Sequence, residues 1–223
     1  MSDDLFELAV APAPTAASYT MTVTQLSGTT LEIDFTGITG RDPAATGDFV
    51  ALWQAQVGVP WGTSPCNTQN IENTSSDGSD LFGGLSMARL PYVVAYSVGS
   101  DTSCHSVTAV RPLGVGGISG PLQSITGRPS AIGSTSLAID YTAPYGMTPY
   151  SFGHRVVLVA GELFLPQSKV IATALPTDNT NDTAAFNNIP LVVGQSYTAA
   201  YLAGPTAANV AATTSFTVTA PPS

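Results

Sequence analysis

Hydrophobic and polar residues alternate with a period of two in several short runs, the signature of strands with one buried face. Leu31, Ile33 and Phe35 fall on one side of such a run, and Glu32, Asp34 and Thr36 on the other. The arrangement returns at Leu137, Ile139 and Tyr141, with Asp140 and Thr142 opposite. Tyr92, Val94, Tyr96 and Val98 share a face, as do Tyr197, Ala199, Tyr201 and Ala203. Further strands are expected over residues 19–25, 48–53, 79–83 and 106–111, and over 123–126, 154–159, 184–187 and 214–219. Turn-rich segments separate them, and no run has the period of an amphipathic helix of three turns.

These runs are copies of one another. The block from Leu31 to Thr36 (LEIDFT) recurs 106 positions later from Leu137 to Thr142 (LAIDYT). The block from Asp48 to Trp53 aligns at the same spacing with His154 to Val159, and Tyr92 to Gly99 recurs 105 positions later as Tyr197 to Gly204. Three blocks in one order at a nearly constant spacing mean two tandem copies of one domain, each of a common domain size. The expected organisation is an N-terminal arm over 1–15, a first repeat over 16–112, a Gly-rich linker over 113–120 and a second repeat over 121–223. The arm from Asp4 to Thr15 has no matching block; it is expected either to add a strand to a neighbour or to be a disordered tail. Many short strands with regular turn signals predict an all-β fold of two antiparallel β-sandwiches.

The segment from Leu191 to Tyr197, running into Thr198, Ala199, Ala200 and Tyr201, resembles the E–F corner and F strand of fibronectin type III domains. Leu90, Pro91 and Tyr92 form a shortened version. The resemblance covers one corner per repeat, and the family's tryptophan on strand B is absent from Leu31–Phe35. It implies an immunoglobulin- or fibronectin-like sandwich in which Tyr92 and Tyr197 tie their hydroxyls to nearby backbone.

Composition narrows the function classes. Hydrophobic residues at 43% suffice for a core, while charged residues at 9% fall far below the ~25% usual for soluble domains. Lys169 is the only lysine and the net charge is −9, which excludes nucleic-acid binding through a basic surface. The most apolar stretch, from Val156 to Leu165, is broken by Gly161 and Glu162 and is too short for membrane insertion. The acidic start, with no basic and apolar leader, sets the expectation of cytoplasmic synthesis followed by incorporation into an extracellular or virion assembly. Residues 1–112 carry eleven acidic and three basic side chains, residues 113–223 four and three. A nearly uncharged second repeat beside an acidic first one suits head-to-tail association with further copies or another partner.

Candidate chemistry is sparse. His105 is expected in a hairpin and His154 at the start of a strand, each as a surface or hairpin residue rather than a catalytic base, and no nucleophile motif accompanies them. Asp34 and Asp140 are equivalent in the repeats and are read as solvated strand residues. Trp53 and Trp61 bracket the start of a longer loop, Val57 to Asp80, which suits stacking on a glycan; Trp53 also fits a core position. The acidic loops Asn73–Asp80, with Asp77 and Asp80, and Thr177–Asp182 offer oxygen ligands for calcium without the pattern of a dedicated calcium loop. They equally suit ordinary polar turns. Cys66 and Cys104 suit one disulfide outside the cell and two thiols inside it, and with His105 they do not complete a zinc site. The reading is a non-enzymatic assembly protein without a cofactor, forming part of a filament, a phage or tail-like particle, or a surface layer. Its alternative is a carbohydrate-binding or adhesive module using the Val57–Asp80 loop.

Overall fold

Alternating runs become strands throughout a computed structural model that describes residues 9–10, 15–88, 90–101, 103–114 and 117–220. The chain begins with β1 (Ala9–Val10), β2 (Thr15–Ser18), β3 (Thr20–Gln25) and β4 (Leu31–Thr36). A one-turn helix α1 (Pro43–Thr46) precedes β5 (Phe49–Trp53), β6 (Asn67–Asn70), β7 (Asp77–Phe82), β8 (Tyr92–Ser97) and β9 (Val107–Gly114). Next come β10 (Gly117–Ile118), β11 (Gln123–Ser124), β12 (Thr126–Ile132), β13 (Ser136–Thr142) and β14 (Arg155–Ala160). The last are β15 (Val170–Ala174), β16 (Asn181–Asn187), β17 (Ser196–Leu202) and β18 (Val210–Thr219). The fold is all-β with antiparallel sheets.

Two compact units divide the chain. The N-terminal unit comprises residues 18–125 with 143–147; the C-terminal unit comprises 126–142 and 148–223 with the described residues among 1–17. The N-terminal unit has a three-stranded sheet, β3-β4-β7, and a larger sheet in the order β6-β5-β8-β9, with β10 and β11 paired to β9. The C-terminal unit has β12-β13-β16 and β15-β14-β17-β18, with β1 and β2 paired to β18. Strand for strand, the two orders correspond.

The inward faces are those the alternation indicates. Leu31, Ile33 and Phe35 on β4, and Leu137, Ile139 and Tyr141 on β13, are buried. Phe35 meets Tyr96 of β8 with ring centroids 5.3 Å apart, and at the equivalent positions Tyr141 meets Tyr201 of β17 at 5.5 Å. These contacts join the small sheet to the large one within each unit. The tyrosine corners form as the resemblance implies: the Ala88 amide donates to Tyr92 Oη at 2.9 Å, and the Val192 amide to Tyr197 Oη at 3.0 Å.

Three features depart from the sequence reading. First, β5 and β8 are buried on both faces, so their alternation does not separate core from solvent. Second, the stretch read as a linker over 113–120 includes the end of β9 and the returning β10. Gly117 lies opposite Gly114, and Ile118 opposite Leu113. Gly117 takes a φ of 136°, a conformation that favours glycine, where the chain starts back along β9. Third, residues 123–126 are not the first strand of the C-terminal unit's small sheet. Gln123–Ser124 pairs with β9, and the expected strand is β12, beginning at Thr126. Its Pro129 stands at a register irregularity on an edge strand, where a missing amide donor is tolerated. The strands β6 and β15 were not foreseen either.

A buried ionic node holds the start of β5. Asp48 is fully buried and accepts hydrogen bonds from Arg41 Nε at 2.8 Å and from Arg41 Nη2. It also accepts from Tyr96 Oη at 3.0 Å, Thr46 Oγ1 at 3.0 Å and the Gly99 amide at 2.8 Å. α1 is set for this purpose, with Asp42 capping the Ala45 amide and Gly47 closing it at a φ of 73° just before Asp48. Burial is the largest single influence and pulls the Arg41 pKa down, but the hydrogen bonds to Asp48 together with the electrostatic pull of Tyr19, Asp48 and Tyr96 leave it above its ordinary value. Burial and the Asp48 charge push the Tyr96 hydroxyl far above the usual tyrosine range. The equivalent positions carry different chemistry: Met147 and His154 stand 106 positions after Arg41 and Asp48. His154 is only 1% exposed, not the surface residue expected, and its Nδ1 lies 3.1 Å from Tyr201 Oη.

Removing one partner of a buried ion pair strands the other charge, at a cost of about 3–5 kcal/mol. Asp48→Asn is therefore expected to lower unfolding stability by that amount in a urea titration. The double variant Arg41→Met with Asp48→His, which imports the pair found at 147 and 154, is expected to recover part of the loss. A loss under ~1 kcal/mol for Asp48→Asn would remove the node from the account of this unit's stability.

Candidate functional site

The two tryptophans have separate surroundings. Trp53 ends β5 and is 1% exposed, so it is not an exposed stacking platform. It lies on the face of its sheet turned away from Phe35, because its register partner is Val93 while the neighbouring Leu52 is paired with Val94. There the loop after β5 covers it, and its Nε1–H donates to the Thr63 carbonyl at 2.9 Å. Trp61, further along that loop, is half-buried and donates from Nε1 to the Tyr145 carbonyl at 2.9 Å. Tyr145 is 71% exposed, and its amide is held by Gln123 Oε1 at 2.8 Å. Sequence reasoning did not single out Tyr145; its only signal there is an aromatic residue in a turn.

The acidic loops are occupied with their own backbone and hydroxyl groups. Asp80 lies on β7 opposite Ile33, and its Oδ2 is 3.4 Å from the Asn73 amide; Asp77, opposite Thr36, accepts from Ser76 Oγ at 3.2 Å. Asp182 accepts from Thr177 Oγ1 at 2.6 Å, Asn179 Nδ2 at 2.9 Å and the Thr183 amide at 2.8 Å. Asp178 accepts from the Ser151 amide at 2.8 Å and from its hydroxyl at 2.7 Å. These bonds hold both carboxyls below the usual carboxylate range, Thr177 contributing most at Asp182 and the Ser151 amide most at Asp178. Among the described residues, no three His, Cys, Asp or Glu side chains are grouped to hold a metal ion. Asp34 is exposed, and Asp140 is half-buried and takes a 2.7 Å bond from Thr183 Oγ1.

Cys66 is exposed and Cys104 is buried, and no disulfide joins them. Burial, followed by the Asp101 charge, pushes the Cys104 thiol up to about 11, away from the reactive thiolate form. His105 follows in the same loop between β8 and β9.

The sheet edges form the most distinctive surface. β9 is covered along its free side by β10 and β11, and β18 by β1 and β2. β15 ends its sheet with no strand on its outer side among the described residues. Around it Leu163, Leu165, Val170, Ile171 and Leu175 are exposed, Leu163 to 64% and Leu175 to 59%. Lys169 is the single charged residue between Glu162 and Asp178, and it stands just before the strand. Natural edge strands are normally blunted by charge, proline or a cover, and β15 carries none of these within its length.

No family model matches this sequence, and no curated protein matches it. Among solved structures, a mutant of Salmonella alpha-2-macroglobulin aligns over 98% of this chain at 10% identity with a TM-score of 0.28. The Salmonella alpha-2-macroglobulin reacted with methylamine aligns over 93% at 11% identity with the same score. In both, the chain spans 17% of the neighbour's length. The two tandem V-type regions of VCBP3, a v-region-containing chitin binding protein, align over 92% of this chain and 100% of theirs. Their identity to it is 7%, and the TM-score is 0.27.

The acidic loops predict a pH dependence. A carboxyl whose pKa is lowered by folding stabilises the fold above its unfolded value of ~3.9 and loses that contribution as pH falls through its folded value. The urea midpoint is expected to decline as pH drops below ~4, and Asp182→Asn is expected to flatten that decline. An unchanged slope in the variant would show that the Thr177–Asp182 contacts do not form in solution.

Proposed function

We propose that this chain is a non-enzymatic structural subunit that assembles with further copies of itself, in a filament, a phage or tail-like particle, or a surface layer. We infer that its two units are tandem copies of one immunoglobulin- or fibronectin type III-like sandwich. The matching strand orders and the two tyrosine corners support that inference. The observation that carries the assembly reading is the bare β15 edge. An uncharged strand rich in β-branched residues, with no strand on its outer side among the described residues, is a ready template for another chain. The low charge of the C-terminal half supports the same reading, since such a surface gains by being covered.

A binding reading draws on Trp61 and Tyr145, whose aromatic faces suit a glycan ring. Trp53 has no part in it, being buried. A glycan that quenches Trp61 fluorescence, with the effect lost in Trp61→Phe, would favour this reading.

Negative-stain microscopy with light scattering tests the assembly reading. The expected result is ordered particles whose mass is a multiple of the 22.8 kDa chain. Ile171→Lys is expected to lower the mean particle mass at least twofold while leaving the urea midpoint nearly unchanged, because an exposed substitution costs within about 0.5 kcal/mol. A uniform particle of one chain at high concentration would overturn the reading.

A further inference from the structure

The outer face of the small sheet β12-β13-β16 carries a groove of about 670 Å³, within the ~300–1,000 Å³ range of small-ligand sites. All of its lining belongs to the C-terminal unit. Register places Arg128, Asp140 and Thr183 in one row across the three strands, with Asn181 two residues before Thr183 on β16. Ala16 lines the groove from β2, just past the expected N-terminal arm, of which residues 1–8 and 11–14 lie outside the described residues.

Arg128 Nη2 stands 3.8 Å from Asp140 Oδ2, and the arginine side chain is 77% exposed. That distance exceeds a hydrogen bond, so the pair is not closed on itself. Thr183 Oγ1 donates to Asp140 Oδ1 at 2.7 Å. This bond is the largest cause holding the Asp140 carboxyl below the usual carboxylate range, which keeps it an acceptor at neutral pH. A guanidinium donor and a carboxylate acceptor thus lie side by side on strands rather than on a loop. Adjacent hydroxyls of one ligand satisfy both, one accepting from Arg128 and the other donating to Asp140. An anionic ligand would meet Asp140 and Asp182, and an ammonium would meet Arg128; a neutral hydroxylated ring incurs neither repulsion.

We propose that this groove binds a neutral glycan, with Arg128 and Asp140 holding neighbouring hydroxyls of one sugar ring. The site adds to the assembly reading and does not rest on it. It is also separate from Trp61 and Tyr145, which belong to the N-terminal unit.

The N-terminal unit supplies an internal comparison. Its groove on β3-β4-β7 has a volume of about 170 Å³. Leu122 lines it 106 positions after Ala16, and Thr22 lines it 106 positions before Arg128. Thr22 donates its hydroxyl to Asp34 at 3.4 Å, and Arg111 gives its guanidinium to the Met21 carbonyl at 2.7 Å. The larger groove therefore goes with a smaller residue at 16 and an added cation at 128.

Saturation-transfer difference NMR of the whole chain tests the proposal, with maltotriose, cellotriose, mannotriose and triacetylchitotriose as probes. At least one is expected to bind. Arg128→Ala removes a charge-assisted hydrogen bond, and is expected to weaken that binding about tenfold or more. Ala16→Leu, which imports the residue of the smaller groove, is expected to weaken it comparably. Both positions are exposed, so the urea midpoint is expected to hold in each variant. Trp61→Phe is expected to leave binding unchanged. Failure of all four probes overturns the proposal, as does binding that survives both groove variants or disappears in Trp61→Phe. Preference for a sialylated or sulfated trisaccharide, lost in Arg128→Ala, would mark an anion site and overturn it as well.

Discussion

Backbone amides and carbonyls along the last strand of each large sheet must find partners, and much of this molecule is arranged around that requirement. An open edge of eight to ten residues with hardly any charge is costly to leave to water and hazardous to leave to other chains. In each unit short strands lie on that last strand, β10 and β11 on β9 and β1 and β2 on β18. The opposite edge receives less. In the N-terminal unit it is β6, a polar run of Asn, Thr, Gln and Asn that solvates its own exterior. In the C-terminal unit it is β15, without charge and with no strand on its outer side among the described residues.

Between the sheets, the two units solve one packing problem with different chemistry. An aromatic pair bridges the layers at the same place in both, Phe35 with Tyr96 and Tyr141 with Tyr201. The tyrosine hydroxyl then needs a polar neighbour inside the core. One unit supplies a carboxylate, which in turn requires Arg41 and the amide of Gly99; the other supplies an imidazole. The ionic version is richer in hydrogen bonds and more exacting, since each of its members depends on the rest.

Most of the scaffold was legible in the sequence, and the reasons are local. β4 and β13 alternate cleanly because each is the middle of a three-stranded sheet with one solvated face. The tyrosine corners announce themselves because a hydroxyl reaching a few residues back is a short-range contact. The rest depended on long-range facts. β6 has no apolar pattern to betray it, and β10 and β11 look like linker because glycine and serine serve pairing and turning alike. His154 reads as a surface residue until Tyr201, 47 positions away, is seen to face it. Trp53 reads as either platform or core, and the Thr63 carbonyl beneath the covering loop decides the matter. The β15 edge, which carries the functional reading, has no signature of its own, because being an edge is a property of the sheet.

The scarcity of basic residues has one further consequence, for degradation. Proteases that cut after Lys or Arg spare bonds to proline, and Arg111 and Arg128 are each followed by one. Arg41 is buried against Asp48, and Arg155 lies within β14, flanked by strands on both sides. Arg89 falls outside the described residues. Among those described, the exposed Lys169 leaves a single open bond, Lys169–Val170, at the threshold of β15. Any chain seated on that edge would shield the very bond by which such a protease enters, and would lengthen the protein's lifetime in a digestive or lytic fluid.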